Sequence, residues 1–568
     1  MRLLVALAGT LVAFAVALKA ESADLPLPGG PVALPGRAVP GEADLVQSAY
    51  RHSSSPLLWV SHGDLTLQAV ALLRALARCD ERGLRPEDYG VDAIRSLASS
   101  GNRDDLARLD TWLSTAAVRL LSHLHYGRVD PRTADFELPA RPRDLDVAVA
   151  VAALASAADV DAEIAAVEPQ FYHYALLEGA LARYRALAAK PRLTELPTAG
   201  KPAPHLGASY AGAPALRDLL IAEGDLAATA APDSSPVIDA PLAHALKRYQ
   251  VRHGLSVDGT LNGPTLAALT TPMSRRVRQI ELTLERWRWL PPFESPPIVV
   301  NIPEFRLFAF RTTADRAASI LQMPVIVGQA YPAKRTPIFV GEMRTVVFRP
   351  YWDVPRSIVL KEMLPRIREN PDYLAHEHLQ LVRGEGDDAP IVAPSAQAVR
   401  ELAAGALRLR QLPGNDNALG LIKFLFPNAH NVYLHSTPAY RLFAASRRAF
   451  SHGCIRVSDP TALALYVLNG VSPPWDAARI DAEMHADTRA PLRVELPKPI
   501  PVMVLYGTAM ATEAGPVQFF DDLYGHDRKL ERLLGLAPLE RARVAGALAP
   551  TDASATAART RAPARGRG

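Results

Sequence analysis

The apolar residues change their spacing once, at Pro291-Pro292, and that change bounds the fold. Ahead of it they recur at helical intervals. Leu65, Val70, Leu73 and Leu76 precede Gly83; Leu109, Leu113, Val118 and Leu121 precede Gly127; Tyr174, Leu177, Leu181, Tyr184 and Leu187 form a third stripe. Val277, Ile280, Leu284 and Trp287 mark one face of a helix over 273–290. Behind the proline pair, strand-like runs take over. Residues 298–302 and 305–310 flank Pro303-Glu304 as a hairpin, and 324–327, 345–348 and 431–435 read as further strands. A chain of 568 residues has room for roughly three or four domains at about 150 residues each. The two periods therefore predict separate units, a helical arm followed by a β domain.

Breaks in the pattern divide the chain further. Met1-Arg2 precede an apolar run from Leu3 to Leu18, with small residues at Ala17, Ala20 and Ala23. The run is shorter than the about 20 residues a bilayer span needs, so 1–22 reads as an export signal, with an uncleaved anchor as the alternative. Pro26, Pro28, Pro31, Pro35 and Pro40 make 23–41 a linker. A second Pro/Gly-rich stretch, 191–214, closes the helical arm. In the short unit 236–271, Leu242, Leu246 and Tyr249 lie at helical spacing, Asp258-Gly259 turns, and Gly263-Pro264 starts a second helix. Within the β domain, 356–428 is irregular and partly helical, an insertion of the size expected for a lid or binding element. Residues 517–548 read as helical and 551–568 as a disordered basic tail.

Composition excludes several classes. Apolar residues are 49% and charged residues 21%, as in globular proteins. A formal charge of +4 gives no basic field for nucleic acid. Two cysteines exclude a disulfide scaffold and a four-thiolate metal site.

The chemistry concentrates in 431–457, NVYLHSTPAYRLFAASRRAFSHGCIRV. A strand ends at His435, and the chain returns through Ser451, His452, Gly453, Cys454, Ile455 and Arg456. Gly453 permits a tight bend beside Cys454, and successive N–H groups in such a bend converge on an anion. Arg456 and a nearby imidazolium are expected to favour the thiolate. Three rival readings use the same residues. His430, His435, His452 and Cys454 offer four zinc ligands, at a spacing that fits no common zinc pattern. A papain-like protease places its Cys more than about a hundred residues before its His, the reverse of the order here. Ser451 lacks a G-x-S-x-G elbow. Cys79, beside Arg78 and Asp80, reads as a structural thiol.

SHGCIRV, with a His 19 residues upstream of its Cys, resembles the signature of the L,D-transpeptidase (YkuD-type) catalytic domain of bacterial cell-wall enzymes. Arg335-Thr336-Pro337, the run from Arg349 to Pro355 and the run from Leu412 to Gly420 are similar to the large periplasmic members. LKRYQVRHGLSVDGTLNGPTLAAL resembles a peptidoglycan-binding domain, and the helical arm resembles those members' scaffold domain. The resemblance implies a multidomain α+β fold. A helical scaffold (42–214), a small helical peptidoglycan-binding domain (236–271) and a linking helix (273–292) would precede a mostly β, sandwich-like catalytic domain (295–508) with a lid. It implies Cys454 as nucleophile, His435 as general base and acid, and Ser436 orienting the imidazole through its backbone carbonyl. The N–H groups of Gly453 and Cys454 would form an oxyanion hole. Tyr351 and Trp352 would line the substrate groove, with His452 and Arg456 shaping the Cys loop beside it. The implied reaction is 3→3 cross-linking of peptidoglycan stems in the periplasm, inhibited by carbapenems, with hydrolysis as a variant at the same site and a non-catalytic wall-binding scaffold as the other class. No cofactor and no metal are implied. Stem peptides and glycan are the expected partners, with other wall synthases beside them, no nucleic acid, and membrane contact only through an uncleaved signal.

Overall fold

Asp110, in the second turn of the longest helix of the arm, takes hydrogen bonds from the Tyr50 hydroxyl and the Trp59 N–H, both at 2.6 Å. Around that buried carboxylate the arm is built. The computed structural model describes residues 33–539 apart from 101, 103–104, 140–143, 191, 229–233, 293–294, 313–319, 371, 489, 514 and 538. The expected signal (1–22), most of the linker and the basic tail lie outside the described residues. No described helix is long and apolar enough to cross a membrane.

The arm comprises α1 (Glu42–His52), α2 (Leu67–Ala77), α3 (Val91–Ser99), α4 (Leu106–Tyr126), α5 (Val147–Leu154) and α6 (Val160–Ala166). They share one core, with Val46, Leu72, Leu76, Ile94, Leu113, Leu121, Val151 and Ile164 buried in it. That core ends at Val167. The next helix, α7 (Tyr172–Ala188), carries the stripe Tyr174, Leu177, Leu181 and Tyr184 into a second core. The expected scaffold of 42–214 is therefore split by packing. From α7 onward the chain belongs with the linking helix α11 (Met273–Trp287) and the sheet.

The unit at 236–271 folds as two capped helices, α9 (Ala240–Arg252) and α10 (Gly263–Leu269), after α8 (Ala213–Glu223). Asp239 caps α9 and Asn262 caps α10. Buried Gln250 holds the intervening turn through the N–H groups of Asp258 and Gly259 at 3.1 and 2.8 Å. Leu242, Leu246, Tyr249 and Leu261 join the same core as the sheet, so the unit has no separate interior. α11 is pinned at its end by charges: Glu285 to Arg128 at 3.1 Å and Arg286 to Asp527 at 2.7 Å.

The sheet begins with β1 (Ile298–Asn301), β2 (Arg306–Ala309), β3 (Leu321–Gly328) and β4 (Ile338–Phe348). The insertion supplies β5 (Trp352–Asp353), β6 (Leu379–Val382), β7 (Ile391–Val392) and β8 (Arg408–Gln411). β9 (Ile422–Leu425), β10 (Leu434–His435), β11 (Ala449–Ser451), β12 (Ile455–Val457) and β13 (Leu492–Leu505) complete it. Strands run β9-β10-β12-β3-β2-β1-β13-β4, and β4 pairs back with β9, closing the sheet on itself. Along that order two pairs of neighbours are parallel, β10 with β12 and β13 with β1, and β11 pairs in parallel with β3 off the path. Alternation sends Val300, Leu307, Val325, Val346, Phe424, Leu434, Ile455 and Val504 inward. The short strand Phe136–Glu137 from the arm adds in parallel to β4, which joins arm and sheet.

The insertion differs from the expected 356–428. β5 to β8 form their own sheet, in the order β7-β6-β8-β5, over a small core that includes Val354, Leu364, Ile367, Leu381, Leu402 and Leu409. It leaves the main sheet at β5 and ends by β8. Ile422–Leu425 is a strand of the main sheet, because Ile422 and Phe424 are buried on its inner face. At the other end of the domain, residues 517–548 contain, among the described residues, one short strand (Gln518–Phe519) and a helix (His526–Leu533).

Candidate active site

Leu434 and Ile455 point into the core as partners on β10 and β12. Their chain neighbours must therefore face the other way. That places His435 opposite Arg456 on the outer face. β9 adds Lys423 directly opposite His435 on the other side. Lys423, His435 and Arg456 form a row across three strands, with Tyr433 and Cys454 one step along.

His435 is 3% exposed although it lies on the outer face. The loop that precedes β9 covers it. Its Nδ1 donates to the Ser436 carbonyl at 2.5 Å, and the Leu419 backbone also supports the ring. With the proton on Nδ1, Nε2 is the free base. The Ser436 side chain serves the cover: its Oγ accepts from the N–H of Leu421 at 2.8 Å and of Ile422 at 3.2 Å, and donates to the Leu419 carbonyl. Gly420 is required there, since its φ is 62° and a Cβ would lie 2.1 Å from Ser436 Oγ.

Cys454 is partly exposed, and its thiol contacts the Asn431 carbonyl at 3.7 Å. No hydrogen bond joins Sγ to the His435 ring among the described residues. Catalytic contacts of this kind often tighten only with substrate. The Tyr433 hydroxyl and its own backbone N–H face the sulfur. The same phenol reaches Trp352, the Lys423 ammonium sits 3.8 Å above its ring, and the ring meets His435 edge-on at 5.7 Å.

The resting charges differ from the expected thiolate. Burial pushes the Cys454 thiol up, against the pull of Tyr433, Lys423 and Arg456. Burial, then the Arg456 guanidinium, hold His435 down at about 3. At neutral pH the site is a thiol beside a neutral imidazole. The sequence reading supplied the imidazolium but not the cover over it.

The Cys loop is braced from three sides. Ser451 Oγ donates to the Cys454 carbonyl at 2.5 Å and accepts the Gly453 N–H at 3.1 Å. That engagement removes the Gly453 N–H from the expected oxyanion pair and leaves the Cys454 N–H. Thr336 donates to the Gly453 carbonyl at 2.8 Å. Its own N–H is held by the Tyr524 hydroxyl at 3.2 Å, and that hydroxyl also binds the Gly328 carbonyl at 2.7 Å. His452 turns outward to Glu362 in the insertion, 2.9 Å away, and Lys334 approaches the same carboxylate at 3.8 Å. Glu362 lies on a π-helical turn, Val359–Met363, so the insertion touches the loop that carries Cys454.

Tyr351 packs over the Arg410 guanidinium at 4.7 Å and braces the insertion, whereas Trp352 reaches the site through Tyr433. The residues offered as zinc ligands disperse: His430 pairs with Glu137 at 3.0 Å and His452 with Glu362. Cys79 is fully buried, and burial raises its thiol. Sequence reasoning missed Lys423 and Tyr433. Their signal was the alternation of strand positions, Lys423 on β9 and Tyr433 two before His435.

Residues 296–473 match the family model of the L,D-transpeptidase catalytic domain, and residues 44–181 match that of a scaffold domain. The closed β domain is thus an L,D-transpeptidase catalytic domain of the YkuD type, carried behind a helical scaffold. A protein of Haemophilus influenzae named "Putative L,D-transpeptidase" is 30% identical over 264 residues, 46% of this chain. The chain spans about half the length of that curated relative (50%). The solved L,D-transpeptidase of Xylanimonas cellulosilytica (residues 123–326) is 15% identical, with 54% of this chain and 100% of that chain covered at a TM-score of 0.16.

Proposed function

We propose that the chain is a peptidoglycan L,D-transpeptidase that forms 3→3 cross-links, with Cys454 as its nucleophile. The observation that carries this reading is the His435 tautomer. Nδ1 is committed to the Ser436 carbonyl at 2.5 Å, which leaves Nε2 basic on the sheet face that bears Cys454. The Sγ proton passes to Nε2 as sulfur attacks the carbonyl of the L centre in a tetrapeptide stem. The tetrahedral oxyanion is met by the Cys454 N–H, with the Tyr433 hydroxyl beside the sulfur. Nε2 then returns the proton to the nitrogen of the departing D-Ala, leaving a thioester. An amine of a neighbouring stem attacks the thioester, its proton goes to Nε2 and on to the departing sulfur, and the cross-link forms. Water in place of the amine gives a trimmed stem, the hydrolytic variant. The insertion, linked to the Cys loop through Glu362 and His452, is positioned to exclude it.

The rest of the reading follows from that substrate. The chain is exported to the periplasm by its N-terminal segment, the 236–271 unit holds glycan, and carbapenems acylate Cys454. Peptidoglycan is the partner, with other wall synthases acting on the same polymer. Incubation with purified tetrapeptide muropeptides tests this. Mass analysis should show free D-Ala and 3→3 dimers; trimmed stems alone would establish the hydrolytic variant, and unchanged stems would refute the assignment.

A further inference from the structure

We infer that the Arg456 guanidinium binds the free carboxylate of the residue that leaves the stem, so that the site recognises a chain end one residue beyond the bond it cuts. The inference rests on the transpeptidase reading above. Arg456 lies on the outer face two residues beyond Cys454, a separation of about 7 Å along a strand. It stands opposite His435 on the neighbouring strand, about 4.8 Å across the sheet. Its Nε is buried with no hydrogen-bond partner, and no carboxylate pairs with it among the described residues. Several arginines of this chain that are buried are matched by a carboxylate: Arg128 with Glu285, Arg252 with Asp225 and Arg410 with Asp353. Arg456 itself is half-buried; a partly desolvated guanidinium without an anion is costly to keep, and an arriving carboxylate relieves that cost.

The geometry of the leaving group fits. Its nitrogen must come within about 3 Å of His435 Nε2 to be protonated. Its carboxylate carbon is two bonds further on, about 2.5 Å from that nitrogen, within one strand spacing of the imidazole. Two cations flank His435 at that range. Lys423 is already engaged over the Tyr433 ring; Arg456 is free and presents the planar fork that matches a carboxylate. Bound there, the carboxylate offsets one of the charges that hold His435 neutral, which eases the proton transfer from Cys454. A stem amidated at its end, or extended by one more residue, lacks a carboxylate at this place.

The test compares a tetrapeptide stem with its C-terminal carboxamide on the full chain, following release of the D residue. For wild type, kcat/KM for the acid should exceed that for the amide by roughly 100-fold, the scale of truncating one partner of a desolvated charge pair. In Arg456→Gln the acid-to-amide ratio should fall to about 1, and Arg456→Lys should recover part of it. A wild-type ratio near 1 would overturn the inference, as would an equal fall on both substrates in Arg456→Gln. Acylation of wild-type Cys454 is read in parallel by intact mass. Acylation with no change in the ratio sinks this inference alone, whereas absence of acylation by either stem sinks the transpeptidase reading with it.

Discussion

Arg456 stands directly across from His435 on parallel strands, and its guanidinium helps hold the imidazole neutral. Two consequences follow for the thiol. It has no imidazolium to lean on at rest, and in the proposed reaction its proton moves only when substrate arrives.

Alkylation of Cys454 by iodoacetamide should therefore keep accelerating as pH rises past about 8.5, the range of an ordinary thiol. His435→Asn should leave that profile nearly unmoved, because a neutral ring contributes no charge to lose. Peptide mapping after timed alkylation measures it. A plateau already reached by pH 6, displaced upward by His435→Asn, would show a standing thiolate–imidazolium pair instead.

Folding stability should fall with acid. His435 binds its proton at about 3 when folded but near 6.5 when unfolded, so the unfolded chain holds more protons throughout that window. Stability present above pH 6.5 is lost as pH falls toward 3. By pH 4 this group alone accounts for about 3 kcal/mol, at about 1.4 kcal/mol per unit. Urea denaturation at pH 7 and pH 4 should show a smaller difference for His435→Gln than for wild type.

Ser436→Ala should cost stability more than chemistry. The buried hydroxyl holds the N–H groups of Leu421 and Ile422, and leaving buried groups unpaired costs about 1–3 kcal/mol. The carbonyl that fixes the imidazole remains. A lowered thermal midpoint with kcat within about tenfold of wild type is the expected pair of results; the tenfold bound is about 1.4 kcal/mol of barrier.

Glu362→Gln should weaken the link between the insertion and the Cys loop, through His452. Because that link bears on water access and not on the nucleophile, the ratio of trimmed stems to cross-linked dimers should rise while acylation by a carbapenem persists. Product analysis by mass spectrometry reads both.

The sequence exposed the helical arm, the change of period and the proposed nucleophile because each is written locally. A helical stripe such as Tyr174 to Leu187 is visible in its own spacing, although only packing shows that it serves the second core. SHGCIRV carries its chemistry within seven residues. What escaped depends on contacts between distant strands. Lys423 enters the site because β9 pairs with both β4 and β10, and the insertion ended too late because Ile422–Leu425 is too short a run to declare itself a strand. The engagement of the Gly453 N–H by Ser451 and the cover over His435 arise from turns whose partners lie off the motif or within its fold.

In the proposed reaction Cys454 Sγ accepts an acyl group from a stem peptide. Intact-mass measurement of wild type and Cys454→Ala, quenched in acid after brief exposure to a tetrapeptide stem, tests it most directly. Wild type should gain the mass of the stem less its terminal D-Ala, as one adduct, and Cys454→Ala should gain nothing. An unmodified wild type throughout turnover, or an adduct that survives in Cys454→Ala, would contradict the account.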